Sequence, residues 1–164
     1  VAMIGEMRDP ETMAAAVTAA ETGHLIFSSL HTNNAAQTID RIIDSFPAHQ
    51  QNQVRLQLAG SLIAIVSQRL LPRVSGGLVP AVEVMLANHA VRNLIREGKI
   101  YQIPSIMQTA KGQGMVMLND ALFKLVVDKQ VTPEEAYIKA IDKQGLLTMF
   151  KSKAISVKLS GMAE

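Results

Sequence analysis

Two short apolar runs, Val1 to Ile4 and His24 to Leu30, flank a segment of helical length that opens on Asp9-Pro10 and closes at Gly23. This arrangement constrains the fold more than any other feature. A crossover helix between two strands implies a parallel pair with a right-handed connection. Val1 to Ile4 lacks polar alternation, so it reads as a central strand buried on both faces, and the run His24 to Leu30 reads as a second buried strand. Asp9 suits a helix N-cap and Pro10 the first helical position. Past the second run, Asn33 or Asn34 caps another helix. Its inward face is Ile39, Ile42, Ile43 and Phe46, spaced i, i+3, i+4, i+7. Residues 1–46 therefore read strand, helix, strand, helix, which is an α/β pattern.

Pro47 opens a helix expected to reach about Leu71. Val54, Leu58, Leu62, Ile65 and Val66 line its buried face, and Gln53, Gln57, Ser61, Ala64 and Gln68 form the opposite stripe. A hairpin follows around Ser75-Gly76-Gly77, with Pro80 marking an edge strand. The remainder is helical: a short helix capped by Asn88 and ended by Gly98, another before Gly112 and Gly114, and one with Leu118, Leu122, Leu125 and Val126 inward. Thr132 to Glu135 forms a capping box with Pro133 at the first helical position. Three stretches result: residues 1–86, a mainly helical subdomain at 87–150, and a basic, weakly periodic tail at 151–164, expected to be mobile or docked on a partner.

With 164 residues the chain is long enough for a sizeable core. Its net charge of +2 and 4% aromatic content give no basic stripe with stacking rings, so a nucleic-acid binder is not indicated. No cysteine is present, which excludes disulfides and thiolate zinc sites. The apolar run Leu62 to Val66 is too short to span a bilayer. The nine methionines read as core filler.

Chemistry in an open parallel sheet gathers beyond the carboxyl ends of its strands. The first run ends at Gly5-Glu6 and the second at His31-Thr32-Asn33. If the strands are neighbours, Glu6 and His31 reach one crevice. A carboxylate there can orient or deprotonate a water, and an imidazole beside it can contact a phosphate. From spacing alone, Glu6, Arg8, Asp9 and Glu11 read equally well as a solvated loop with helix-capping acids. His24 beside a helix-ending glycine reads first as structural, and His49 and His89 as surface or capping residues. His24 and His31 do not have the spacing of a metal-ligand pair, so no metal site is assigned.

Three stretches carry a resemblance. GEMRDPET, residues 5–12, resembles the Walker B segment of the secretion ATPases that drive type II secretion and type IV pili. TGHLIFSSLHTNNA, residues 22–35, resembles the same family's histidine box. NHAVRNLIREGK, residues 88–99, is similar to the AIRNLIRE motif of its pilus retraction branch, with Val91 in place of isoleucine. The resemblance implies the C-terminal part of a RecA-like P-loop ATPase core, with parallel strands and crossover helices, followed by a mainly helical subdomain. It implies Glu6 as the catalytic glutamate that polarises water, and His31 and His24 as phosphate-sensing positions, His31 the better placed. Arg8, Asp9, Glu11 and Thr12 are implied to organise the site and a subunit contact. Ala90, Val91, Arg92, Asn93, Leu94, Ile95, Arg96 and Glu97 form the implied coupling motif, with Arg92, Asn93, Arg96 and Glu97 left free on its surface.

ATP and Mg2+ are the implied ligands of the intact protein. A homo-hexamer and an inner-membrane pilus platform are the implied partners. The implied location is cytoplasmic, peripheral at the inner membrane, without membrane insertion. The extension and type II secretion branches usually carry a four-cysteine zinc module near the hairpin. Its absence favours retraction. No GxxxxGK[ST] occurs in the sequence, so the phosphate cradle is missing. The chain is expected to be a piece of a motor domain that alone neither binds nor hydrolyses ATP. A pilus-extension or type II secretion ATPase, and a non-enzymatic helical adaptor, are the alternative readings.

Overall fold

A computed structural model describes residues 1–158. Its elements run β1 (Ala2–Ile4), α1 (Pro10–Glu21), β2 (Ile26–Ser28), α2 (Ala35–Asp44), α3 (Ala48–Ser61), β3 (Ala64–Pro72) and β4 (Leu78–Leu86), then α4 (His89–Arg96), α5 (Ile103–Thr109), α6 (Leu118–Val127), α7 (Pro133–Lys139) and α8 (Lys143–Ser152). The described residues form two compact units, Val1–Ser67 with Val84–Met115, and Gln68–Glu83 with the residues from Val116 onward.

In the first unit β1 and β2 pair in parallel, Met3 opposite Phe27 and Ile4 opposite Ser28. The expected crossover helix α1 joins them. Asp9 caps it by accepting from the Thr12 amide, and Pro10 stands at its first position. Asn34 caps α2 by accepting from the Gln37 amide. Ile39, Ile42, Ile43 and Phe46 are all buried, as their spacing requires, together with Met13, Val17, Val54 and Leu58. Ser45 Oγ donates to Met13 Sδ at 2.9 Å, which ties the end of α2 to the first turn of α1. Helix α3 lies against both.

Two expectations about this unit are corrected. The strand pair is not buried on both faces: Met3 is 83% exposed and Phe27 56%. Ile4 and Ile26, on the other face, are half-buried. A continuous apolar run fits a strand covered on both sides, but among the described residues the sheet has only two strands. The long helix also does not reach Leu71. It stops at Ser61, and Ala64–Pro72 is a strand. There Ile65 and Leu71 are buried while Val66 and Leu70 are exposed, a period of two that a helix cannot show. Gly60 weakens the helix just before it ends, and the β-branched Ile63, Ile65 and Val66 favour the extended chain.

The hairpin around Ser75-Gly76-Gly77 is present and longer than expected, and so short a connection between β3 and β4 permits only antiparallel pairing. Gly76 and Gly77 have φ of +91° and +78°, which only glycine adopts without strain.

The second unit packs helices on the hairpin tip. Leu71, Val79 and Ala81 from the strands meet Leu118, Leu122, Val126, Ala136, Leu146 and Phe150. Thr132 Oγ1 accepts from the Glu135 amide at 3.3 Å to cap α7. The stretch from 151 onward is no free tail as far as it is described. Helix α8 runs to Ser152, Ile155 and Val157 pack on the core of their own unit, and the Lys158 amide donates to Glu134 Oε1 at 2.8 Å. Residues 159–164 lie outside the described residues.

Candidate active site

Parallel pairing puts the carboxyl ends of β1 and β2 side by side. Two contacts hold these ends together. Ser29 Oγ donates to the Gly5 carbonyl at 2.6 Å, and the Met7 amide donates to the Ser29 carbonyl at 3.1 Å. Glu6 leaves one strand end and His31 the other, and they meet: His31 Nε2 lies 3.1 Å from Glu6 Oε1. Arg8 reaches Glu6 Oε2 at 2.7 Å. The Glu6 side chain is 24% exposed, those of Arg8 and His31 77% and 84%. A screened carboxylate therefore sits between two groups open to solvent.

The hydrogen bond from Arg8 is the largest influence on Glu6 and holds its carboxyl below the usual carboxylate range. Partial burial opposes this, while the charges of Arg8, His31 and Arg41 add to it. Glu6 is consequently ionised at neutral pH and a weak base. Asp9 is also held low, first by the Thr12 amide at 2.7 Å and then by the Thr12 hydroxyl at 2.9 Å. Its role in the fold is the α1 cap. Glu11 sits in the first turn of α1, where the helix dipole favours an acid.

His24 is not brought to this cluster. It precedes β2, at the opposite end of the sheet from His31, on the order of 20 Å away by strand rise. Its Nδ1 lies 3.0 Å from the Thr22 hydroxyl at the end of α1. Ser29 and Arg41 were not legible as site residues. Ser29 has a signal in hindsight, since a hydroxyl one residue past a strand end can bond its neighbour's last carbonyl. Arg41 lies on α2 with no local motif, beside an open depression of about 500 Å³ whose walls include Arg8, Gln37 and Asp40.

The motif at 90–97 is helix α4 and its cap residue. Asn88 Oδ1 accepts from the Val91 amide at 3.0 Å. Val91, Leu94 and Ile95 are buried. Outside, Asn93 Nδ2 donates to Glu97 Oε1 at 2.8 Å, and Lys99 Nζ pairs with Glu97 Oε2 at 2.7 Å. Arg92 departs from the expected free surface. Its guanidinium donates to the carbonyls of Ala59, Gly60 and Ala87, each at 2.7 Å. A helical wheel marks it as outward, but its side chain is long enough to turn back onto the end of α3.

The family model described as Type II/IV secretion system protein matches residues 1–98. A twitching motility protein of Neisseria gonorrhoeae is 49% identical over 147 residues, covering 89% of this chain and 39% of that protein. A type IV pilus retraction ATPase, PilT, of Pseudomonas aeruginosa is 47% identical over 140 residues, covering 85% of this chain and 41% of that protein. A crystal structure of the pilus retraction motor PilT with bound ADP superposes with a TM-score of 0.81 at 47% identity, over 89% of this chain and 41% of that one. The α/β class expected from the sequence agrees with that likeness. The chain thus spans about two-fifths of the length of the relatives it matches.

Proposed function

The chain belongs to the Type II/IV secretion system protein family, and from that premise we propose that it is part of an ATP-hydrolysing motor that powers type IV pilus retraction. The observation that carries the reading is the meeting of Glu6 and His31, 3.1 Å apart at the mouth of two parallel strands. The relatives named for twitching motility and pilus retraction support the choice of branch.

The residues present fit the terminal-phosphate end of a nucleotide. An ionised carboxylate can accept a hydrogen bond from a water and orient it. The open imidazole of His31 can donate to a phosphate oxygen. Arg8 fixes one carboxylate oxygen of Glu6, so the other faces His31 and whatever lies beside it. A carboxylate held low in pKa suits orientation better than proton removal, and phosphoryl transfer asks mostly for positioning and charge stabilisation. The remaining phosphates need the GxxxxGK[ST] loop, which this sequence does not contain.

Among the described residues no group of three or more His, Cys, Asp or Glu could hold a metal. Magnesium, arriving with the nucleotide, would supply charge neutralisation at the phosphates. In this reading the intact protein is a hexamer working against an inner-membrane pilus platform from the cytoplasmic side. No helix among the described residues is long and apolar enough to cross a membrane. Arg8, Asp9, Glu11 and Thr12 organise the mouth of the site.

The test is Glu6→Gln in the intact protein. ATP binding is expected to survive and turnover to fall by ~10² or more, because the neutral amide has one acceptor oxygen instead of two and no charge with which to hold the water in line. Turnover close to that of the unaltered protein would sink the assignment of Glu6.

A further inference from the structure

The three carbonyls held by Arg92 have a common location. Ala59 and Gly60 belong to the last turn of α3, immediately before the chain enters β3. Ala87 follows directly on β4, where the chain leaves the hairpin. The Ala87 amide also donates to the Ile63 carbonyl at 2.9 Å, so the entering and leaving segments touch where Arg92 bridges them. The hairpin passes from the first unit at Ser67 and returns to it at Val84. Its root, where Ile63 meets Ala87, therefore lies within the first unit.

We propose that Arg92 is a clamp on the root of the β3–β4 hairpin, and that the 90–97 motif serves the motor partly by holding the two chain segments of this root together rather than by presenting Arg92 to a partner. The chemistry favours a guanidinium. Its donors form a rigid planar fork, which can satisfy carbonyls from two segments at once. Its charge lies against the negative end of α3, where the last carbonyls have no intrahelical partner. Arg92 is thus a positioning residue. The outward chain of Asn93, Glu97 and Lys99, with Arg96, is left as the contact surface of the motif.

The discriminating variant is Arg92→Lys, with Arg92→Gln beside it and Arg96→Lys as control. Lysine keeps the positive charge that a recognition role needs but not the fork that a clamp needs. Hydrogen exchange on this chain reads the root directly. In both Arg92 variants the Ala87 amide should exchange roughly tenfold faster or more, as expected for losing hydrogen bonds from a charged donor. The amides of α1 should be unchanged, and so should all amides in Arg96→Lys. Unchanged exchange at Ala87 would overturn the clamp. Loss of protection throughout, α1 included, would make Arg92 a residue of global stability and overturn it as well.

The functional half rests on the proposed motor activity. In the intact protein, Arg92→Lys should retain ATP turnover and lose pilus retraction, read as twitching motility. A general loss of stability would lower both. Retention of both would remove the functional role. An unaltered protein without ATP turnover would instead count against the motor reading, and the exchange result would still decide the clamp.

Discussion

Asp9 spends both carboxylate oxygens on Thr12, one on its amide and one on its hydroxyl, and this sets a pH signature. Its folded pKa lies below the ordinary carboxylate value. Its contribution to stability is therefore complete above that value, near pH 4, and is lost as pH falls through the lower folded one. The Thr12 amide should be protected from exchange at neutral pH and lose that protection in acid. Asp9→Asn, which still caps but does not titrate, should remove the pH dependence at Thr12. An identical acid profile in that variant would contradict the assignment. At this scale the sequence was informative where backbone register decides the outcome. Glu6 and His31 each follow a strand end, so parallel pairing alone brings them together. Arg8 completes the group from only two residues away. Arg41 could not be foreseen, because its influence on Glu6 arises from the packing of α2, on which spacing is silent.

Helix starts were legible at the level of elements because capping is local. Asp9, Asn34, Asn88 and Thr132 each accept from an amide three residues on. The end of α3 was not. Leu58, Leu62, Ile65 and Val66 can be fitted to a helical face, and the same stretch also alternates as a strand. Only pairing with β4 decides between the two. Helix α4 shows both outcomes at once, since spacing alone predicts its apolar stripe but not the return of Arg92 to the carbonyls at the end of α3. A stability series follows. Leu94→Ala should cost ~2–5 kcal/mol, because Leu94 is only 9% exposed and its loss opens a cavity. Arg96→Ala should change stability by less than ~0.5 kcal/mol, as is usual for an exposed side chain. Asn88→Ala should fall between them, at ~1 kcal/mol for a lost cap. Denaturant unfolding of the three variants checks the order. If Arg96→Ala costs as much as Leu94→Ala, the division of α4 into an inner and an outer face fails.

For the whole molecule, the absent GxxxxGK[ST] loop is the governing fact. Calorimetry of this chain with ATP and magnesium should show no stoichiometric site, since a carboxylate and an imidazole alone cannot replace a backbone cradle and its lysine. A micromolar site would mean that nucleotide binds through residues other than those assigned. Strand order was readable at this scale, but burial was not, because Val1 to Ile4 advertises a degree of cover that two strands cannot provide. That mismatch has a practical side. A two-stranded ribbon with Met3 and Phe27 facing solvent offers unpaired backbone edges beside an apolar surface. Such edges recruit further strands without regard to their source. Handled alone, the chain is in danger of sticking to its own copies, and its solubility should be governed by these few residues more than by its net charge.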